Sequence, residues 1–401
     1  MTWSEVTKME EKRTFVYRAL EGVESFTELC REFGISTKTG YKWKARFLEK
    51  GLAGLSELSR KPAGNPNSAD EETICDIIRI KNTRPRWGAK KIYAIFCRLY
   101  PARRDDISVP TIDRILARSG LTKPRGKKRR RTGQRLVLRE KAMQPNHIWT
   151  VDFKGWWYTA HAEKCEPLTV RDEYSKFILS IQILEKGNIS SVKQHFAKLF
   201  RRYGLPEIIR SDNGTPFASS WGLLGLTKLS VWWLSLGISL DRIDPGKPAQ
   251  NGGHERMHRD IRTELQGRIQ GDLKLHQISF DQWRQDFNNE RPHQALDMKT
   301  PSEVYFPSEN QYTGDTVPAY PEDCIVRMVN DRGYTNYKQH RIFIGNSFNG
   351  YPIALRFITD MQIEVYFGSL LLGYIDRNNY LFTPNQEEAT EKSEAELLPM
   401  S

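Results

Sequence analysis

Apolar positions recur at helical spacing through the first third of the chain and at strand spacing through most of the rest. Phe15, Ala19 and Leu20 predict a first helix, Phe26–Phe33 a short second one, and Thr37–Lys50 a third that packs through Tyr41, Trp43 and Phe47. In Thr27-Glu-Leu-Cys-Arg-Glu-Phe-Gly-Ile-Ser36, Gly34 falls where a tight turn needs a residue tolerant of positive φ. Lys38, Lys42, Lys44 and Arg46 fall mostly on other faces of the third helix, which completes a helix-turn-helix pattern with a basic face. Arg60–Ser68, rich in Pro, Gly and Asn, predicts a linker. A second helical unit follows over Glu71–Leu121: a helix through Ile74, Ile77, Ile78 and Ile80, the segment Trp87–Leu99, and a helix Val109–Arg118 bounded by Pro110 and Gly120. Thr111, Arg114 and Arg118 form its exposed polar face.

From Asn146 the pattern changes. Ile148–Phe153, Leu168–Val170 and Lys176–Leu184 predict three strands, and Ser190–Tyr203 a helix with Val192, Phe196, Leu199, Phe200 and Tyr203 on one stripe. Ile208–Asp212 predicts a strand ending at an acid before an Asn-Gly turn. Leu229–Leu236 is helical, Leu240–Ile243 a last short strand, and one long helix carries Glu255 onward from the glycine-rich loop Pro245–Gly253. Beyond Pro301, Cys324–Val329, His340–Ile344, Ile353–Ile358, Gln362–Phe367 and Leu370–Ile375 predict a small β-barrel or sandwich. The Glu-rich tail from Asn385 predicts disorder.

Charge narrows the partner. Sixty-one Lys and Arg against 49 Asp and Glu give +12, which favours a polyanion, and Lys123-Pro-Arg-Gly-Lys-Lys-Arg-Arg-Arg131 concentrates it. Lys127, Lys128, Arg129, Arg130 and Arg131 repel one another too strongly to pack and suit phosphates along DNA; a nuclear-localisation reading of the same run has no other support. No stretch approaches a membrane span, and no secretory signal opens the chain. The five scattered cysteines form no CxxC or His/Cys cluster, as expected of buried thiols in a reducing, cytoplasmic setting.

Asp152, Asp212 and Glu255 fall at the end of one strand, the end of another and the start of a helix, with gaps of 60 and 43 positions. Three such carboxylates suit Mg²⁺ or Mn²⁺, which prefer oxygen ligands and support phosphodiester chemistry. Singly, each acid has an ordinary explanation in turn chemistry or the helix dipole. Their neighbours go further. Trp149-Thr-Val-Asp-Phe153, Arg210-Ser-Asp-Asn-Gly-Thr-Pro-Phe-Ala218, Pro245-Gly-Lys-Pro-Ala-Gln-Asn-Gly-Gly-His-Glu-Arg-Met-His258, and Asn289-Glu-Arg-Pro-His-Gln-Ala-Leu296 with Thr300-Pro301 occur in this order. In these motifs the chain resembles the bacterial insertion-sequence transposases of the DDE, or retroviral-integrase, superfamily over roughly residues 10–306.

The resemblance implies a multidomain α, α/β and β protein. Helix-turn-helix units at 1–62 and 69–122 precede a basic linker at 123–139 and an RNase H-like catalytic core at 140–306; the strand pattern adds a small all-β domain at 320–384, and composition an acidic tail at 385–401. It implies that Asp152, Asp212 and Glu255 hold Mg²⁺ or Mn²⁺, that a 3′ end is cleaved and joined to target double-stranded DNA without a covalent protein intermediate, and that homo-oligomers pair two ends. The long gap before Glu255 points to an insertion at Ser219–Trp233, and Glu264 is the rival third acid. Arg259 and Arg262 share the Glu255 face with His258, where many integrases carry a lysine in place of Arg262, and are expected at the DNA backbone. Arg291 and His293 serve either DNA or the Pro292 turn. Two alternatives keep the fold: a silent DNA-binding regulator, which has no need of all three acids, and an RNase H-type nuclease, which has no need of the helical units and basic arm.

Overall fold

The computed structural model describes residues 8–57, 69–122, 141–184, 187–244, 252–266, 269, 271–359 and 361–385. The basic run at 127–131, most of the expected linker, residues 245–251 of the glycine-rich loop and nearly all of the acidic tail lie outside these. Contacts divide the chain into units at 1–70 and 71–401.

In the first unit, α1 (Lys8–Glu21), α2 (Phe26–Glu32) and α3 (Thr37–Lys50) close around Phe15, Val16, Leu29, Cys30, Trp43 and Leu55. Gly34 takes φ +63° between α2 and α3, the left-handed turn expected of it. Ser36 caps α3, its Oγ accepting from the Thr39 amide at 3.2 Å.

The second unit begins with α4 (Glu71–Thr83), α5 (Ala89–Leu99) and α6 (Val109–Arg118), whose buried faces carry Ile77, Ile80, Ile92, Phe96, Ile112 and Leu116. These helices dock on the α/β domain that follows them. Arg84 pairs with Glu290 and lies 3.6 Å from Asp286, and Arg98 bonds Glu303 at 2.8 Å.

That domain is built on a five-stranded sheet of order β5-β4-β1-β6-β7: β1 (Ile148–Phe153), β4 (Pro167–Asp172), β5 (Ile178–Ile183), β6 (Ile208–Ser211) and β7 (Ser239–Arg242). β4 runs antiparallel to β1 and β5, whereas β6 is parallel to β1 and β7. Alternation then sorts the side chains. Trp149, Val151, Leu168 and Val170 pack against α7 (Ile189–Tyr203) and α8 (Lys228–Ser235). The opposite face receives α9 (Gly252–Glu264) and α10 (Leu273–Asn289), through Met257, Ile261, Phe280 and Trp283. The single long helix expected from Glu255 onward is therefore two. A break after Glu264 lets α10 fold back so that Trp283 Nε1 donates to Glu264 at 2.7 Å. Helices on both faces of this mixed sheet form the RNase H-like layer order. A short ribbon missing from the sequence reading, β2 (Trp157–Tyr158) with β3 (Lys164–Cys165), projects beyond β1.

The C-terminal domain joins β8 (Ile325–Met328), β11 (Pro352–Phe357), β12 (Gln362–Phe367), β13 (Leu370–Asp376) and β14 (Phe382–Pro384) in one antiparallel sheet. A hairpin of β9 (Tyr334–Tyr337) and β10 (His340–Phe343) completes it. Leu226 and Val231, from the segment expected as an insertion, lie inside this β core. Among the described residues, no helix is long and apolar enough to cross a membrane.

Candidate active site

Strand register brings the two aspartates together. β1 and β6 pair in parallel with Ile148 opposite Ile208, Trp149 opposite Ile209 and Thr150 opposite Arg210. The same offset of 60 stands Asp152 abreast of Asp212, just past the C-terminal end of β6. Neighbouring strands lie about 4.8 Å apart, so the two carboxylates share one sheet edge. Arg210 holds that edge, its buried guanidinium bonding Asp241 on β7 at 2.6 Å. Past β6, Gly214 N donates to Asp212 Oδ1 at 3.1 Å and Asn213 Nδ2 to the Ile243 carbonyl at 2.6 Å, so the Asn-Gly turn fixes the second acid.

Helix α9 delivers the third. His254, Met257 and Ile261 are buried against the sheet, which leaves Glu255, Arg259 and Arg262 exposed along an adjoining stripe. His254 is wholly buried. Its Nδ1 lies 2.8 Å from Thr150 Oγ1 on β1 and its Nε2 2.7 Å from Thr169 Oγ1 on β4. One turn on, His258 Nε2 reaches the same Thr169 hydroxyl at 2.8 Å. Gly253 leaves room for the buried Arg171, because a Cβ there would overlap its guanidinium.

This arrangement fixes protons. Thr169 Oγ1 donates to the Asp152 carbonyl at 2.8 Å, so with one hydrogen spent it accepts from both histidines at Nε2. His258 then turns an unprotonated Nδ1 toward Asp152 Oδ2, 3.7 Å away and beyond hydrogen-bond range. Burial, with the charges of Lys154, Arg171 and Arg262, pushes His258 down to about 3 and keeps it neutral. Asp152 is pushed up to about 7, by burial first and then by the charges of Asp212 and Glu255. The charges of Asp212 and Glu255 thus both act on Asp152, with no histidine cation beside it. Among the described residues no three His, Cys, Asp or Glu side chains stand close enough together to hold a metal ion. The donor set still suits a hard divalent cation, because His254 is committed at both ring nitrogens and carboxylate oxygens remain.

The other candidate residues divide. Lys38 and Lys42 are exposed on α3, and Arg114 and Arg118 on α6. Lys44 departs from the expected basic face: it turns inward, Nζ donating to the Ala19 carbonyl at 2.9 Å. Arg46 is half-buried over the Trp43 ring, 5.3 Å from its centroid. Arg291 bonds Asp260 at 2.6 Å and the His293 ring packs on Phe287, so both brace the turn around Pro292. His254, Thr150, Thr169 and Arg171 were missing from the sequence reading. Their signal was parity: residues 150 and 152 share one strand face, and 254 and 258 one helix face.

Comparison with known proteins agrees with this architecture. Residues 142–248 and 236–301 match two models described as integrase core domains. Residues 11–63 match a helix-turn-helix domain and 39–116 a homeodomain-like domain. The chain is 26% identical over 274 residues to an uncharacterized 31.7 kDa protein of insertion element IS407 from Burkholderia multivorans, covering 68% of this chain and 93% of that one. It is 25% identical over 272 residues to an uncharacterized 39.2 kDa protein of insertion element IS476 from Xanthomonas euvesicatoria, covering 67% and 75%. Solved structures with partial likeness include the HTLV-2 integrase catalytic core domain in complex with magnesium, at 19% identity and TM-score 0.33, covering 41% of this chain and 99% of that one. The simian T-cell lymphotropic virus intasome matches at 14% identity and TM-score 0.36, covering 74% and 97%. The core and the units before it define an integrase-core protein with N-terminal helix-turn-helix domains. Within that class, these matches support an insertion-sequence transposase of the DDE/integrase superfamily.

Proposed function

We propose that this protein binds the ends of its element as double-stranded DNA, cleaves them at the 3′ side and transfers them to target DNA, with Asp152, Asp212 and Glu255 as the catalytic carboxylates. The observation that supports this is the strand register that sets Asp152 beside Asp212, with α9 pinned across β1 and β4 and the Glu255 charge acting on Asp152. Glu264, the rival acid, is engaged by Trp283.

The three carboxylates would hold Mg²⁺ or Mn²⁺, which when bound activates an oxygen nucleophile and neutralises charge on the phosphate. Arg259 and Arg262, exposed on the Glu255 stripe, grip the backbone beside the scissile phosphate. Water adds to that phosphorus as the P–O3′ bond breaks, leaving a 3′-hydroxyl on the element and a 5′-phosphate on the flank. The 3′-hydroxyl then attacks a target phosphodiester, giving up its proton and displacing the target's own 3′-oxygen. Thr169 and His254 keep α9 in register throughout. Lys38, Lys42, Arg114 and Arg118, with the run Lys127–Arg131, supply contacts to the duplex away from the cut. Two ends join one target, so the working species is a homo-oligomer; a strictly monomeric species on paired-end DNA, by native mass measurement, overturns this.

Strand transfer from a labelled end duplex into plasmid, with Mg²⁺ or EDTA, tests the reading. Joining by wild type that needs metal and vanishes in Glu255→Gln is expected. Binding without cleavage by wild type, with Mn²⁺ as well, overturns it.

A further inference from the structure

The ribbon β2–β3 leaves β1 immediately after Asp152, through Lys154 and Gly155. Its middle tryptophan faces inward: Trp157 meets Phe280 of α10 edge-on, at 6.1 Å and 85°. The Glu163 carboxylate, in the ribbon's loop, accepts from the Leu273 amide at the start of α10 at 3.1 Å. With the ribbon anchored on that side, the residues flanking Trp157 point the other way, as alternation in an extended strand requires. Trp156 is 56% exposed and Tyr158 63% exposed, and their rings meet edge to face at 5.4 Å. Two large aromatics are thus held in water by a braced ribbon, four and six residues beyond a candidate catalytic acid.

One lysine stands beside the exposed pair. Lys154 lies on the inward side, buried, with its Nζ 5.3 Å from the Trp157 ring. Lys164, bridged to Glu166 at 2.7 Å, keeps its Nζ 5.7 Å from the Trp156 ring. Exposed aromatic faces beside a lysine suit nucleic-acid bases, because every base offers a π-face while its phosphate can meet the ammonium. A base inside a duplex is already stacked on both sides, so inward of the terminal pair only an unpaired one can present a face to these rings.

We propose that Trp156 and Tyr158 form a stacking platform for an unpaired nucleobase at the DNA end held beside Asp152. This rests on the transposase reading above and adds that the end is melted locally, next to the cut.

End duplexes carrying either a normal nucleotide or an abasic site at each of the last few positions separate the two ideas. Affinity is measured by fluorescence anisotropy, with Ca²⁺, for wild type, Trp156→Ala, Trp156→Phe and Tyr158→Ala. Wild type is expected to prefer the base over the abasic site at one position by at least about fivefold, the lower end for a base on an aromatic ring. Both alanine variants lose that preference while binding abasic ends as wild type does, and Trp156→Phe keeps it. 5-Iodouracil at the same position is expected to photocrosslink to Trp156 or Tyr158. Equal weakening on both DNAs, or no base preference in a wild type that binds ends, overturns the platform alone. A change of oligomeric state without base dependence overturns it and assigns the surface to a second copy of the chain. Wild type that binds no end DNA overturns the parent reading and the platform together.

Discussion

The hydroxyl of Thr169 lies 2.7 Å from Nε2 of His254, and this contact ties the helix bearing Glu255 to the strand alongside Asp152. The same oxygen also meets His258 and the Asp152 carbonyl, so one side chain on β4 sets the spacing between two of the three acids. Thr169→Val keeps the shape and removes the hydroxyl, stranding two buried imidazole donors at about 1–3 kcal/mol each. Strand transfer is expected to fall at least tenfold in Thr169→Val and to return near wild type in Thr169→Ser. A Thr169→Val protein with a lowered melting temperature and an unchanged rate would reduce the residue to a packing role.

Asp152→Asn separates chemistry from recognition. The amide cannot replace a carboxylate ligand, yet it relieves repulsion with Asp212 and Glu255, which helps drive Asp152 up to about 7. End cleavage is expected to drop below about a thousandth of wild type, with end affinity unchanged or slightly tighter. Gel shift and cleavage on one labelled duplex read both. Joint loss of binding and cleavage points to misfolding.

The β domain is predicted to be inseparable from the core. Val231 is completely buried and Leu226 only 3% exposed, both among β-domain side chains. A chain ending at residue 306 uncovers them together with Leu223 and Leu224. It is expected to precipitate or to unfold without a cooperative transition, whereas an independent domain would come away leaving a soluble core with a sharp melt.

This fusion is one place where the sequence was least legible. Strand and helix periodicity marked β1, α3 and α6 to the residue, because each has a one-sided apolar pattern and a cap or turn at its ends. The three acids are proposed from the motifs around them. Four features were not legible. Leu226 and Val231 look like ordinary helix and loop apolars, and nothing local says which core they enter. His254 is one polar residue in a polar run, and its role exists only because Thr150 and Thr169, over eighty positions away, arrive at both of its nitrogens. The β2–β3 ribbon and the break after Glu264 were missed because both are set by tertiary packing against α10.

Acid should destabilise the fold partly through His195. Its Nε2 lies 2.8 Å from Ser180 Oγ, and burial, with a smaller push from Lys198, holds it down to about 4. The folded value is below the unfolded one, near 6.5, so the stability it contributes is complete above pH 6.5 and is lost as pH falls toward 4. Between pH 7 and pH 5 the loss from this group is about 2 kcal/mol. His195→Gln is expected to be less stable at pH 7 but to show a smaller drop at pH 5, read from urea midpoints. Identical drops in both proteins would show that His195 does not titrate in this range.

Salt dependence distinguishes arginines and lysines that touch DNA from those that hold the fold. Arg262 is exposed on the Glu255 stripe, whereas the Lys44 ammonium is bound to the Ala19 carbonyl. Each phosphate contact adds close to one to the slope of log affinity against log salt, because neutralising a phosphate releases condensed cations. Arg262→Ala is therefore expected to weaken end binding and to shrink that slope by about one, with Arg262→Lys keeping most of it. Lys44→Ala should leave the slope unchanged while lowering the melting temperature of the first unit. Titrations from low to physiological salt decide between them: an unchanged slope in Arg262→Ala would remove that residue from the DNA path, and a reduced one in Lys44→Ala would mean that the lysine leaves Ala19 when DNA binds.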